Sequence, residues 1–353
     1  MNVIVNSQTF AHELRALDKI AATKSTIPVL MNVLIKTNEL SISMTATDLE
    51  VGMRAVCPAN VFQPGEITLP VKKLLALIEQ IPNCEIRLVL DEKQHVTLSA
   101  GKFKSRLQTL PAADYPTVPV VDLNLTKLNG PNLREMINRV RYAIASDGKY
   151  TVDGALLSLT NGVAACVGSD SKRLSVATSA YTGNVVNVII PSKTLDVLLA
   201  QNLTGDIEFS QSERHIFFLI GDRIIFSRML ETKFPAYARI IPTDHDKICQ
   251  IDRVPFAAIL RRVGVVNESI YLTISPKSLS LKASNVEFGD AVDEMLIDYD
   301  GPEVTVYVDW KQVLDFLDAS TSTSITMALK DKNSPLLMTD GAQVLNVILG
   351  KRV

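Results

Sequence analysis

Apolar residues recur along this chain at two spacings. In some segments they lie three or four residues apart, which is typical of a helix with one buried face. This spacing holds for Phe10, Leu14 and Leu17, for Leu133, Ile137, Val140 and Ile144, and for Phe256, Leu260 and Val263. Short apolar or alternating segments, typical of strands, are residues 40–45, 86–90, 95–98 and 216–220. The pattern therefore predicts helices and antiparallel strands in mixed order.

One segment, a strand that leads into a helix, occurs three times. Its copies are residues 66–78, 188–199 and 305–317. The helix follows a proline in the first two copies and Asp309 in the third, and both are favourable at a helix start. A second landmark keeps the same register, with ATDL at 46–49, GSDS at 168–171 and KASN at 282–285. Two landmarks in one register indicate an internal repeat.

The repeat predicts three domains of one design. Each copy is expected to run strand, helix, three strands, helix and three strands, which makes an α+β domain with both helices on one face of antiparallel sheets. Breaks fall in the proline-rich stretch 115–121 and in 243–247. Because 353 residues exceed what one hydrophobic core usually serves, we expect domains at 1–120, 121–244 and 245–353.

Composition narrows the class of protein. Hydrophobic residues make up 47% of the chain and the net charge is -2. No apolar run approaches the roughly 18 residues of a membrane-spanning helix, and the N-terminus lacks a secretion signal, so we expect a cytoplasmic protein with no membrane partner. The charge excludes a strongly basic nucleic-acid binder but allows a basic surface. The four cysteines form no C-x-x-C pair, which favours buried thiols: Cys57, Cys84, Cys166 and Cys249.

Signals of an enzyme are weak. An S-x-x-K motif at 169–172 lacks the companion motifs of serine acyl enzymes. The histidines have no metal-ligand spacing, and no glycine-rich nucleotide motif occurs. Asp48 and Asp170 hold equivalent turns in two repeats, and Asn285 holds the third, which favours a structural role. We therefore expect no catalysis, metal or cofactor. An enzyme and a β-rich interaction scaffold remain as alternatives.

Five further stretches lie in order along the chain: TIPVL at 26–30, ATDLE at 46–50, TLPAADYP at 109–116, DSKRL at 170–174 and FPAYAR at 234–239. They resemble the bacterial β subunit of DNA polymerase III, the sliding clamp family, and the likeness extends over essentially the whole chain. The resemblance implies a non-enzymatic processivity factor, a head-to-tail homodimer whose six domains close into a ring around duplex DNA. It also implies partners: a clamp loader, and polymerase subunits that bind through short linear motifs.

Basic residues on the inferred helices are candidates for facing DNA phosphates: Lys72, Lys73, Arg134, Arg139, Arg141 and Lys193. Acidic residues share these segments, so the basic bias is modest. A modest bias suits a ring that slides without reading bases. By resemblance, Lys24 and the pair Lys149 and Tyr150 lie in DNA-touching loops, and Thr151 stands where the family often has a second tyrosine.

The resemblance also places a peptide-binding cleft between the second and third domains. Aliphatic members supply its floor, and Arg173, Arg239 and Arg352 supply donors for peptide oxygens. Taken alone, an apolar C-terminal strand indicates core packing more often than a site. Ser171 and Lys172 stand where the family commonly has Gly-His, and Gly350 and Lys351 where it often has Pro-Met, so partner preference is expected to differ. The full set is Val152, Ser171, Lys172, Arg173, Leu174, Pro235, Arg239, Ile240, Val347, Ile348, Leu349, Gly350, Lys351, Arg352 and Val353.

Two apolar residues map by resemblance onto the interface that closes the ring, Leu107 in the first domain and Val265 in the third. Ser105 and Gly264 lie beside them, where bulkier apolar residues are common. Burying a large apolar side chain contributes roughly 1.5 to 3 kcal/mol, so we expect a weaker dimer than the family's usual one.

Overall fold

A computed structural model describes residues 1–121, 124–145 and 152–351. Across these residues three repeats share one order of elements: a strand, a helix, four strands, a second helix and three strands. The α+β class and the threefold repeat are confirmed.

The elements of the first repeat are β1 (Asn2–Asn6), α1 (Ser7–Asp18), β2 (Asn32–Thr37), β3 (Ser41–Thr47), β4 (Val51–Gln63), β5 (Glu66–Pro70), α2 (Val71–Ile78), β6 (Glu85–Leu90), β7 (His95–Ala100) and β8 (Phe103–Gln108). Those of the second are β9 (Thr126–Asn129), α3 (Gly130–Val140), β10 (Gly154–Thr160), β11 (Gly162–Ser169), β12 (Arg173–Tyr181), β13 (Val186–Pro191), α4 (Ser192–Leu199), β14 (Asp206–Gln211), β15 (His215–Ile220) and β16 (Arg223–Arg228). Those of the third are β17 (Lys247–Asp252), α5 (Arg253–Gly264), β18 (Ser269–Ser275), β19 (Ser278–Asn285), β20 (Gly289–Leu296), β21 (Val304–Asp309), α6 (Trp310–Ala319), β22 (Ser324–Leu329), β23 (Leu336–Asp340) and β24 (Val344–Ile348). Short 3-10 helices cover Pro28–Met31, Ala112–Asp114, Arg141–Ala143 and Tyr237–Arg239.

The helices begin and bury their apolar faces as the sequence predicts. Asn6 caps α1, since its side-chain oxygen accepts from the backbone N–H of Gln8 and of Thr9. Asp309 caps α6 by accepting from the N–H of Lys311. Every apolar residue that defined the helical spacing is buried, from Phe10 in α1 to Val263 in α5.

The expected count of three strands between the two helices is wrong by one. The strand that leads into the second helix is separate from the long strand before it. In the first repeat Pro64 and Gly65 divide β4 from β5. Gly65 lies so close to the N-terminus that an added Cβ would stand 2.8 Å from the Cβ of Met1. The break at this point depends on a contact distant in sequence, which the local pattern does not reveal.

Contacts between residues divide the chain into two compact units. Unit 1 is Met1–Pro131 with Asp196–Met229, and unit 2 is Asn132–Leu195 with Leu230–Val353. Unit 1 holds one sheet, in which β8-β7-β6-β1-β4-β16-β15-β14-β9 run side by side and β4 also continues through β3 and β2 to β5. Unit 2 holds an eight-stranded sheet, β13-β10-β11-β12-β24-β23-β22-β17, and a four-stranded sheet, β20-β19-β18-β21.

Two strand borders explain why these units differ from the repeats. In unit 1, β16 of the second repeat pairs with β4 of the first. In unit 2, β24 of the third repeat pairs with β12 of the second. Each border joins residues of neighbouring repeats, so the domain limits at 120 and 244 stay predictions from the repeat. Within the described residues, no helix is both long and apolar enough to span a membrane.

Candidate functional site

A tight turn in unit 2 presents two of the predicted cleft residues, Ser171 and Lys172. The Oδ1 atom of Asp170 accepts from the N–H of Lys172 at 3.0 Å and of Arg173 at 2.9 Å. The Ser169 hydroxyl closes the turn by donating to the Arg173 carbonyl at 2.8 Å. Ser171 adopts a φ of 69°, the left-handed region that favours glycine. Glycine would adopt this backbone conformation without strain, which agrees with the Gly-His that the resemblance implies here.

The C-terminal strand runs beside that turn. Val347 of β24 pairs with Leu174 of β12, and the N–H of Leu349 donates to the Lys172 carbonyl at 2.9 Å. Beyond it, Lys351 donates its backbone N–H to Tyr307 at 2.8 Å and its Nζ to the Ser269 hydroxyl at 2.6 Å. The tail is therefore held in place as far as Lys351, whereas Arg352 and Val353 lie outside the described residues.

Apolar side chains gather along this border. Leu174 and Val347 are buried, and Val152 packs against the same cluster while half-buried. The cluster also contains half-buried residues that the sequence analysis missed, Phe234, Tyr237 and Ile241. The rings of Phe234 and Tyr237 pack edge to face, with 6.5 Å between the ring centres.

The signal available in the sequence was the spacing of those missed residues, which lie three and four apart from Phe234 to Ile241. Ile240 follows the 3-10 turn Tyr237–Arg239 and is 41% exposed, so it is accessible to a ligand, whereas its neighbour Ile241 packs against the cluster. The expectation that Ile240 lines the cleft stays a prediction.

The basic residues of the predicted cleft differ in their freedom to bind a ligand. Arg173 uses three of its five N–H groups within the protein: Nε donates to Asp170 at 2.9 Å, Nη1 to Asp315 at 2.6 Å and Nη2 to the Tyr142 carbonyl at 2.5 Å. The expectation that Arg173 donates to a peptide therefore depends on its two remaining N–H groups and stays a prediction. Arg239 is exposed beside the exposed Pro235 and has no side-chain partner among the described residues.

In unit 1 the structure brings the DNA-facing candidates together. Lys72 and Lys73 are exposed at the start of α2 and line a cavity of about 390 Å³. Ala22 and Thr23 line the same cavity, and the exposed Lys24 follows them directly. Lys72 and Lys73 therefore share a cavity with the segment that leads into Lys24.

In unit 2 the DNA-facing candidates differ in their exposure. Lys193 is exposed at the start of α4, and Arg134 and Arg141 are half-buried. Lys149 and Tyr150 lie outside the described residues. Arg139 is only 5% exposed and forms a buried ion pair with Asp340. A guanidinium buried in this way cannot reach a DNA phosphate, so the expectation for Arg139 is wrong.

The residues expected at the dimer interface lie at the surface of their units. Leu107 is half-buried on β8, the end strand of its sheet, and Val265 is 81% exposed at the end of α5. The packing of Gly264 requires a small residue, since an added Cβ would stand 2.3 Å from the ring of Trp310. The missing apolar bulk at position 264 is thus a consequence of the packing of α5 on α6.

Three of the cysteine thiols are buried in surroundings that disfavour the thiolate. Burial raises the pKa of Cys57 and of Cys249 to about 11, and that of Cys166 to about 12. Such thiols are poor nucleophiles at neutral pH. No group of three His, Cys, Asp or Glu side chains suited to a metal occurs in the part of the chain that the structure describes.

Family models of the DNA polymerase III beta subunit match nearly the entire chain. The N-terminal domain model matches residues 1–119, the central domain model 127–236 and the C-terminal domain model 238–349. The chain belongs to the DNA polymerase III beta subunit family. The resemblance found in the sequence is thereby confirmed.

Similar proteins match this chain over nearly their whole length. The beta sliding clamp of Pseudomonas putida is 29% identical over 351 residues, which cover 96% of this chain and 95% of that protein. The one from Chlamydia muridarum is 25% identical over 368 residues, covering 100% and 99%. The crystal structure of the DNA polymerase III subunit beta from Pseudomonas aeruginosa superposes with a TM-score of 0.95 at 26% identity, with both chains covered completely.

Membership of this family gives the function. The chain is a sliding clamp of DNA replication, a processivity factor and not an enzyme. The enzyme and the scaffold without DNA are therefore set aside.

Proposed function

We propose that two copies of this chain close into a ring around duplex DNA, which tethers polymerases through the cleft of unit 2. The observation that carries the ring is the way in which the repeats already join. The last strand of each later repeat pairs with the third of the four strands between the helices of the repeat before it, as β16 does with β4 and β24 with β12. The strands in the corresponding places that remain are β8 and β20, and both end their sheets.

The internal borders also predict the register between copies. Leu107 pairs with Val96 in the hairpin of β7 and β8, and Ser227 pairs with Ile216 in the equivalent hairpin of β15 and β16. Leu107 and Ser227 therefore occupy corresponding positions in their repeats. Ser227 pairs with Val51, the first residue to pair after the turn at Asp48. The corresponding residue after the turn at Asn285 is Gly289, which pairs with Asn285 across β19 and β20. The repeat thus predicts that Leu107 pairs with the partner's Gly289.

The second border gives the same register. Ile348 faces Leu336 across its hairpin and pairs with Arg173, the first residue to pair after the turn at Asp170. Two independent borders therefore support one alignment of β8 with β20.

That register sets opposite charges against each other. Arg106 comes opposite the partner's Asp290, and Lys102 opposite the partner's Glu294. Pairs of this kind contribute roughly 0.2 to 1 kcal/mol each. On the other face, Leu107 and Ser105 meet the small side chains of the partner's Gly289 and Ala291. At these two pairs the apolar contribution is small, and the charged pairs add to that of the exposed apolar side chains on the same strands, Phe103 of β8 and Val292 of β20.

The cleft is supported by the half-buried apolar side chains beside an exposed turn. Val152, Phe234 and Tyr237 leave part of their surface accessible over a buried floor of Leu174 and Val347. One similar structure, the Pseudomonas aeruginosa clamp with a TM-score of 0.94, was solved bound to griselimycin. Two apolar anchors contribute roughly 2 to 3 kcal/mol each, so with hydrogen bonds and after ordering costs a peptide should bind near about -8 kcal/mol, in the micromolar range.

DNA is held by enclosure in this proposal, with the lysine surface of unit 1 contributing a weak, salt-sensitive attraction. The clamp loader would open the ring, and the cytoplasm is the compartment where replication requires it. No base contacts are needed.

The deciding experiment loads the protein onto a nicked circular plasmid and then linearises the DNA. We expect the protein to stay on the circle and to leave the linear form within the dead time of a spin column, whatever the base sequence. The triple variant Lys24→Ala, Lys72→Ala, Lys73→Ala should load more slowly, and Lys93→Ala, at an exposed turn of the same unit, should load as the wild type does. Equal loss from circular and linear DNA would exclude encirclement.

A further inference from the structure

The helix-facing side of the border between β12 and β24 is polar. Ser175 pairs with Asn346 there, and both are fully buried. The Ser175 hydroxyl donates to the Arg139 carbonyl at 2.8 Å and accepts from the Tyr142 hydroxyl at 3.1 Å. The side-chain oxygen and nitrogen of Asn346 have no partner in the part of the chain that the structure describes. Because unpaired buried polar groups destabilise packing, apolar contacts alone do not secure β24 on this side.

Arg139 secures one end of β24. Its guanidinium forms the buried ion pair with Asp340 and also donates to the Ala319 carbonyl at 2.8 Å and the Thr321 hydroxyl at 2.5 Å. Asp340 faces Val344, the first residue of β24, across the hairpin. Because the ion pair holds Asp340, it also holds the first residue of β24 in position.

Arg173 secures the other end. It pairs directly with Ile348, the last residue of β24. Its guanidinium reaches Asp315 in α6 and lies 5.2 Å from the centre of the Tyr142 ring. Two arginines of the second repeat thus hold both ends of a strand of the third.

We propose that Arg139 and Arg173 are positioning residues for peptide binding, which hold β24 so that Leu345 and Val347 keep their places in the apolar cluster of the cleft. The inference rests on the proposed cleft, although the effect on β24 itself can be measured without any peptide. It also gives Arg139 a role other than the contact with DNA that its position on a helix suggests.

The charge of Asp340 supplies a distinctive readout. Burial raises the pKa of this carboxyl, but hydrogen bonds from Ser322, Thr321 and Arg139 outweigh burial and hold the pKa below its usual 3.8. Arg139, with Glu135 beside it at 3.3 Å, is the charged group that faces Asp340 among the described residues. Asp340 of the wild type therefore stays ionised, and peptide affinity should be flat from about pH 4.5 to 7.5. In Arg139→Met the buried carboxylate of Asp340 lacks a cation, so the pKa of Asp340 rises. The peptide affinity of this variant should therefore improve as the pH falls.

The test uses the full-length protein and two measurements. Arg139→Met should speed hydrogen exchange of the amides at 344–348 by about tenfold or more and raise the Kd of a glutamine-and-leucine peptide by about tenfold at pH 7.5, which corresponds to about 1.4 kcal/mol. Arg139→Met with Asp340→Leu should recover most of the loss, because no unpaired charge remains buried. Arg261→Met on α5 removes an exposed ion pair with Asp318 of α6 and should change neither measurement.

A milder variant guards against misfolding. Asp315→Asn removes the half-exposed partner of Arg173 and should speed exchange mainly at the Ile348 end. Unchanged exchange at 344–348 in both Arg139→Met and Asp315→Asn would overturn the inference, even if the peptide binds as proposed. If the variants exchange faster but the wild type binds no peptide, the proposed cleft is rejected, whereas the role of the two arginines in holding β24 stands. A loss of DNA retention in Arg139→Met with unchanged exchange would favour the original DNA role.

Discussion

The backbone N–H of Leu349 donates to the carbonyl oxygen of Lys172 at 2.9 Å, and this bond joins the chain terminus to a turn in another repeat. It extends the pairing of β24 with β12 by one residue, past the end of the strand. The side chain of Leu349 is left 43% exposed beside the exposed Ser171 and Lys172. A site that spans two repeats therefore depends on the last residues of the chain.

Removing residues 349–353 should abolish binding of a short peptide that carries a glutamine and leucine or phenylalanine anchors. The deletion takes away an exposed apolar side chain and the bond to Lys172, while β8 and β20, where the copies are proposed to meet, are untouched. Fluorescence anisotropy measures the peptide, and light scattering checks that the dimer persists.

The single variant Leu349→Ala should weaken the same peptide by roughly 1 to 2 kcal/mol, since it removes part of one apolar anchor. Val163→Ala is a matched control in the same unit, because Val163 is 45% exposed at the far end of β11. Undiminished binding by the truncated dimer would show that the cleft has been placed wrongly.

Replacing Ser171 with glycine should keep or raise stability. Serine at a φ of 69° is strained by roughly 1 kcal/mol, and glycine relieves this strain, although it gives back part of the gain through the entropy of the unfolded chain. Ser179→Gly in the extended strand β12 has no strain to relieve and should cost about 0.5 to 1 kcal/mol. Urea unfolding compares the two variants, and an equal loss in both would contradict the strained turn.

The sequence revealed the architecture because its signals are local and occur three times. Helical spacing, caps such as Asn6 and the recurring turn at Asp48, Asp170 and Asn285 each report on a few neighbouring residues. Three features were beyond reach for one shared reason. The break at Gly65 depends on Met1, the smallness of Gly264 depends on Trp310, and the burial of Arg139 depends on Asp340, 201 residues away. An arginine on a helix indicates solvent until its distant partner is known.

The candidate site was predicted less completely than the fold. Family resemblance identified the buried pair Leu174 and Val347, but it did not include Phe234, Tyr237 and Ile241, which pack against the same cluster. It also treated Arg173 as a free donor, whereas three acceptors from separate segments hold that guanidinium.

The thiols should divide into one that reacts and three that do not. Burial raises the pKa of Cys57 and Cys249 to about 11 and that of Cys166 to about 12, so at pH 8 roughly one in a thousand of them or fewer is thiolate. Cys84 is half-buried and should react first with Ellman's reagent. Cys84→Ser should remove the fast phase and Cys57→Ser should leave it unchanged. Rapid release of four equivalents from the native protein would contradict the burial.

Reversing charges across the proposed interface should break and then restore the dimer. Arg106→Glu would face the partner's Asp290 with a like charge, and Asp290→Arg would face the partner's Arg106 in the same way, so each single variant should raise the dimer's dissociation constant by about tenfold or more at low salt. The double variant regains opposite charges at both interfaces of the ring and should return towards the wild type.

Lys93→Glu changes the charge of the same unit at an exposed turn and should have little effect. Sedimentation velocity at several salt concentrations measures this series, and the wild-type dimer should weaken as salt rises, because these pairs are solvent-exposed and screened. A double variant as weak as the sum of its parts would show that Arg106 and Asp290 do not meet, and that β8 and β20 join in a register other than the one repeated inside the chain.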